Sequence, residues 1–74
     1  MFFTAYKATK VVNKKLDDYN IKNIPPQMIY NYVGKGYIQH EVVNNQKVIH
    51  EDVLNIWIDK YINKKLEAIQ ESNN

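Results

Sequence analysis

The side chains best placed to do chemistry in this chain are amides, phenols and ammonium groups. Gln27, Tyr30 and Asn31 are spaced by three and four residues, which puts them on one face of a helix. Glutamine and asparagine each present a donor beside an acceptor, so either can pair in bidentate fashion with the edge of adenine. A tyrosine hydroxyl can reach a phosphate, and its ring can stack on a sugar or a thymine methyl. Lys7, Lys10 and Lys14 recur at the same spacing and would offer cations to phosphates along another helix. The competing reading of each set is an ordinary solvated helix face.

Covalent and metal chemistry find little support. The chain has no cysteine, its one serine is Ser72 near the end, and neither a phosphate loop nor paired carboxylates in an obvious pocket can be found. His40 and His50 could not hold a structural zinc without carboxylate help, and they read as surface or capping residues. No catalytic residue, metal site or cofactor is therefore expected, and the chain is not expected to be an enzyme.

A chain of 74 residues makes one small domain, and without disulfides its stability must come from helix packing or self-association. The 45% apolar content, with six tyrosines and one tryptophan, is enough for a folded core. The net charge of +2 says little, but its distribution says more. Residues 1–16 carry four lysines and no acid, whereas residues 51–74 carry three lysines against five acids. All ten basic residues are lysine. No apolar run approaches the roughly 20 residues of a membrane span, and Met1-Phe2-Phe3 is too brief for a signal peptide. A cytoplasmic protein of a bacterial or phage-infected cell is the expectation.

Four elements would position these groups. Ala5, Ala8, Val12, Leu16 and Tyr19 form an apolar stripe that predicts a helix over about residues 4–19. The polar run 17–23 ends it, with Ile21 and Ile24 tucked inward. Pro25-Pro26 opens a second helix at about 26–34, packed through Met28, Ile29, Tyr32 and Val33 and capped by a left-handed Gly36. Residues 37–50 read as a two-stranded hairpin turning at Asn44-Asn45. A last helix runs over about 51–71, with Glu51 and Asp52 in its first turn and Leu54, Trp57, Ile58 and Tyr61 facing the core. Its stripe of Ile58, Ile62, Leu66 and Ile69 outlasts the expected core. It is therefore a candidate dimer or partner interface, unless helix 1 and Phe2-Phe3 cover it.

The order helix, short helix, hairpin, long helix resembles the excisionase and MerR-like winged helix-turn-helix superfamily over residues 24–58. The residues carrying the resemblance are Ile24, Ile29-Tyr30, Gly36-Tyr37-Ile38, the turn Asn44-Asn45, Ile49, and Val53-Leu54-Asn55-Ile56-Trp57. It implies a mainly α fold with a two-stranded wing. Gln27, Tyr30 and Asn31 would enter the major groove, with Lys35 at the helix exit, and Asn44, Asn45 and Lys47 would meet backbone or minor groove. Three departures stand out: a longer first turn, no arginine for guanine on the second helix, and a last helix as long as those that pair MerR-like regulators.

The expected function is sequence-specific binding of double-stranded, AT-rich DNA by a protein of a phage, plasmid or other mobile element. It would act as an excisionase-like directionality factor or small transcriptional regulator, as a homodimer or cooperative oligomer, with an integrase or repressor as possible protein partner. The alternative is a small interaction module, an antirepressor or inhibitor, that docks through its C-terminal helix.

Overall fold

The computed structural model describes the backbone of residues 1–72 and the side chains of residues 1–68. The protein is mainly helical with a small antiparallel sheet: β1 (Phe2–Thr4), α1 (Ala5–Asp18), α2 (Pro26–Gly34), β2 (Glu41–Val43), β3 (Gln46–His50) and α3 (Glu51–Ser72).

The sheet has three strands in the order β1-β3-β2, not the two expected. Phe2–Thr4 runs antiparallel to β3, pairing Phe2 with His50, Phe3 with Ile49 and Thr4 with Val48. Phe2-Phe3 therefore joins the sheet. β2 pairs on the other side, Glu41 with Val48 through Val43 with Gln46. The hairpin strands begin at Glu41, so 37–40 is a connection and not strand. Asn44 and Asn45 have φ of 51° and 63°, the left-handed pair that a tight two-residue hairpin turn requires.

Thr4 caps α1, its hydroxyl accepting the Lys7 backbone N–H at 3.3 Å. Helix α1 ends at Asp18 because Asn20 turns left-handed at φ 56°. The Ile21 N–H then returns to the Leu16 carbonyl at 3.0 Å, and the Asn20 N–H to that of Asp17 at 3.2 Å. This closure places Ile21 in the core and leaves Tyr19, expected on the apolar stripe, exposed.

Helix α2 closes in the same way. Gly36 has φ 81°, Tyr37 N–H reaches the Tyr32 carbonyl at 2.9 Å, and Gly36 N–H that of Val33 at 3.2 Å. Strand β3 runs into α3 without a linker. There His50 Nδ1 accepts the Asp52 backbone N–H at 3.1 Å, and the Met1 carbonyl accepts that of Glu51 at 2.9 Å.

One core joins all three helices and the sheet, with Val12, Leu16, Ile29, Ile38, Ile49, Leu54 and Ile58 fully buried. Ile58 and Ile62, at 0% and 4% exposure, belong to it, and Leu66 packs against its edge. The expected exposed seam on α3 is thus mostly interior: α1 packs against α3, and Ile58 and Ile62 share one core with the buried residues of α1 and α2. The remaining member, Ile69, has its side chain outside the described residues. Trp57 is only half-buried, at the margin of this core.

Candidate nucleic-acid interface

Helix α2 owes its definition to its two ends and one clamp. Pro26, at its first position, has a backbone angle already suited to a helix and lacks the N–H that would go unpaired there. The segment before it is held by Asn13 in the middle of α1. Its Nδ2 donates to the Ile24 carbonyl at 3.0 Å, and its Oδ1 accepts the Ile24 N–H at 2.8 Å. A second tie, Asn23 Nδ2 to Asp17 Oδ1 at 2.8 Å, steadies the same loop. Ile29 and Val33 then anchor α2 to α1. Asn13 was not singled out in the sequence, because a lone asparagine in a helical stretch looks like any solvated position.

The opposite side of α2 presents Gln27, Tyr30, Asn31 and Gly34, all exposed, as their spacing predicts. Two of them are joined: Gln27 Nε2 donates to Asn31 Oδ1 at 3.0 Å. Gln27 Oε1 remains as an acceptor and Asn31 Nδ2 as a donor, the complement of an adenine major-groove edge. Lys35 is the exposed C-cap residue, one position past this face.

Lys7, Lys10 and Lys14 are exposed on α1, opposite its buried stripe of Ala5, Ala8, Val12 and Leu16. Lys10 Nζ stands 4.7 Å from the Tyr6 ring centroid, a cation–π contact on the surface. Among the described residues no hydrogen bond or ion pair joins this row to Gln27, Tyr30 or Asn31. Asn44 and Asn45 form the hairpin tip, and Lys47 lies beside it across from Val42, all exposed. The hairpin packs with β1, α1 and α3 rather than with α2. The site residues therefore occur as three separate exposed groups on one small body.

His40 and His50 line one shallow depression with Glu41. His50 spends Nδ1 on capping α3 and packs edge-on against Phe2 at 5.0 Å. Among the described residues no group of three or more His, Cys, Asp or Glu is arranged to hold a metal ion, and no helix is long and apolar enough to cross a membrane.

Sequence reasoning passed over a second surface group. Tyr32, Tyr37, Trp57 and Tyr61 form a row of touching rings where α2 meets α3. Their positions in the chain carry no common period, so only the fold brings them together. No family model matches the chain, and neither the curated proteins nor the solved structures compared with it show significant similarity.

Proposed function

We propose that this protein binds double-stranded DNA as a winged helix-turn-helix domain, with α2 in the major groove and the β2–β3 hairpin as the wing. The observation that carries the reading is the exposed Gln27–Asn31 amide pair on a short helix fixed at both ends. Uncharged amides on a rigid helix suit readout of A·T pairs, whereas lysines serve attraction to phosphate. The uncapped first turn of α2 leaves the Gln27 backbone N–H for a phosphate. Lys35, Lys47, Asn44 and Asn45 would contact backbone beside the groove, and Lys7, Lys10 and Lys14 would add salt-dependent attraction.

So few cations hold one copy weakly, so we place it in cooperative arrays on repeated sites. Such arrays suit an excisionase-like or small regulatory protein of a mobile element, beside an integrase or repressor. Ile58 and Ile62 lie in the core, so copies would meet through other surfaces. The reading assigns no catalytic step.

Titration of an AT-rich and a GC-rich duplex at low and moderate salt tests it. Binding that weakens with salt and favours the AT-rich duplex is expected. Gln27→Ala or Asn31→Ala should narrow that preference by about 1–3 kcal/mol. Lys47→Ala should weaken both duplexes and reduce the salt slope by about one. Absence of wild-type binding to either duplex at low salt overturns the proposal.

A further inference from the structure

The face of α2 turned away from Gln27 and Asn31 meets α3 in a groove that DNA binding does not use. Its floor is the aromatic row, with centroid separations of 5.9 Å (Tyr37–Tyr32), 5.7 Å (Tyr32–Trp57) and 5.2 Å (Trp57–Tyr61). Three shallow depressions of ≈ 240, 320 and 220 Å³ follow one another along it. The first shares Trp57 and Lys60 with the second, and the second shares Tyr61 and Lys64 with the third. The depressions thus advance along α3 by four residues at a time. That is about 6 Å per step at the rise of an α-helix, the spacing of side chains i, i+4 and i+8 on a second helix laid alongside.

The charge of the groove is one-sided. Lys60, Lys64 and Lys65 line it, and no carboxylate does among the described residues. None of the three has an ion-pair partner among those residues, and Lys65 Nζ lies 5.5 Å from the Tyr61 ring centroid. Apolar depressions at helical spacing, bordered by unpaired ammonium groups, are the complement of apolar anchors flanked by carboxylates.

We propose that this groove docks an acidic amphipathic helix of a partner protein. Its apolar residues at i, i+4 and i+8 fill the three depressions, and its carboxylates meet Lys60, Lys64 and Lys65. A single-stranded nucleic acid fits less well. Trp57 and Tyr61 are stacked on each other at 21°, so no base can enter between them, and Met28, Val53 and Ile56 add aliphatic walls. A second copy of this chain does not supply the occupant either. The outer face of α1 is lysine-rich, and that of α3 carries Asp59 and Glu67 with no exposed apolar residue between them; among the described residues Ile56 is the one large apolar side chain exposed on α3, too few for three anchors.

Trp57 is the only tryptophan, so its emission reports on the groove in the intact protein. The probe is a helix-stabilised peptide with leucines at i, i+4 and i+8 flanked by glutamates; its control carries lysines at the glutamate positions. The acidic peptide is expected to shift Trp57 emission saturably, and the control is not. The double variant Lys60→Glu/Lys64→Glu, changed only at exposed positions, should keep its far-UV circular dichroism and bind the acidic peptide about tenfold more weakly. Tyr37→Ala, exposed and uncharged, should weaken binding by removing an apolar wall. No response to the acidic peptide, or an equal response to both peptides, overturns the proposal. So does displacement of the acidic peptide by oligothymidylate, which assigns the groove to single-stranded nucleic acid. Sedimentation as a dimer that the double variant dissolves overturns it too, by assigning the groove to a second copy.

Discussion

Replacing Asn13 with alanine tests whether α2 is held by the clamp described above. The side chain makes two bonds, at 2.8 and 3.0 Å, to the backbone of Ile24, whose side chain is buried and whose position sets the entry to α2. Its loss leaves one N–H and one C=O without their partner. Each such group costs about 1–3 kcal/mol when buried, and less where water reaches it. Both bonds are part-buried, so a total of about 2–3 kcal/mol is expected. A domain of this length has about 4–11 kcal/mol of stability, and the loss should lower Tm by about 10–20 °C. Urea denaturation followed by circular dichroism measures the change, with exposed Asn63→Ala as control. Amide exchange at Ile24 should quicken more than elsewhere. A loss below about 0.5 kcal/mol, with Ile24 exchange unchanged, would refute the clamp.

The two glycines should separate cleanly. Gly36→Ala forces a Cβ into φ 81° and should cost about 1–2 kcal/mol, whereas Gly34→Ala, helical and with open space around it, should be neutral or stabilise by up to about 1 kcal/mol. Thermal melts of the pair decide this, and equal effects would contradict the closure of α2. Ile58→Ala should cost about 2–5 kcal/mol because its side chain is wholly interior. A folded Ile58→Ala variant of unchanged stability but altered self-association would restore this residue to an interface. Asn45→Gly relieves a left-handed asparagine at φ 63° and should raise Tm slightly, read by the same melts.

Local signals placed α2 well. Pro25-Pro26 and Gly36 act through backbone angles that depend on the residue itself, and the helix spans Pro26–Gly34 accordingly. The same holds for the Asn44-Asn45 turn and for Ile29 and Val33, whose spacing matches a helix already bounded. What escaped depended on partners distant in the chain. Phe2–Thr4 is too short to show alternation, and it becomes a strand because β3 offers it an edge. The Ile58, Ile62 and Leu66 stripe has the right period, but periodicity does not say what lies across from it. Tyr19 extends the α1 stripe by one more turn on paper, yet Asn20 stops the helix first and hands the place to Ile21. In the candidate interface, the polar face of α2 followed from spacing alone, whereas its Gln27–Asn31 bond and the aromatic groove behind it did not.

The direct passage from His50 into Glu51 has a mechanical consequence. Three contacts fasten that joint: the Asp52 N–H on His50, the Glu51 N–H on the Met1 carbonyl, and Phe2 against the His50 ring. With no residue between strand and helix, β3 and the first turn of α3 cannot change direction relative to each other without breaking one of these contacts.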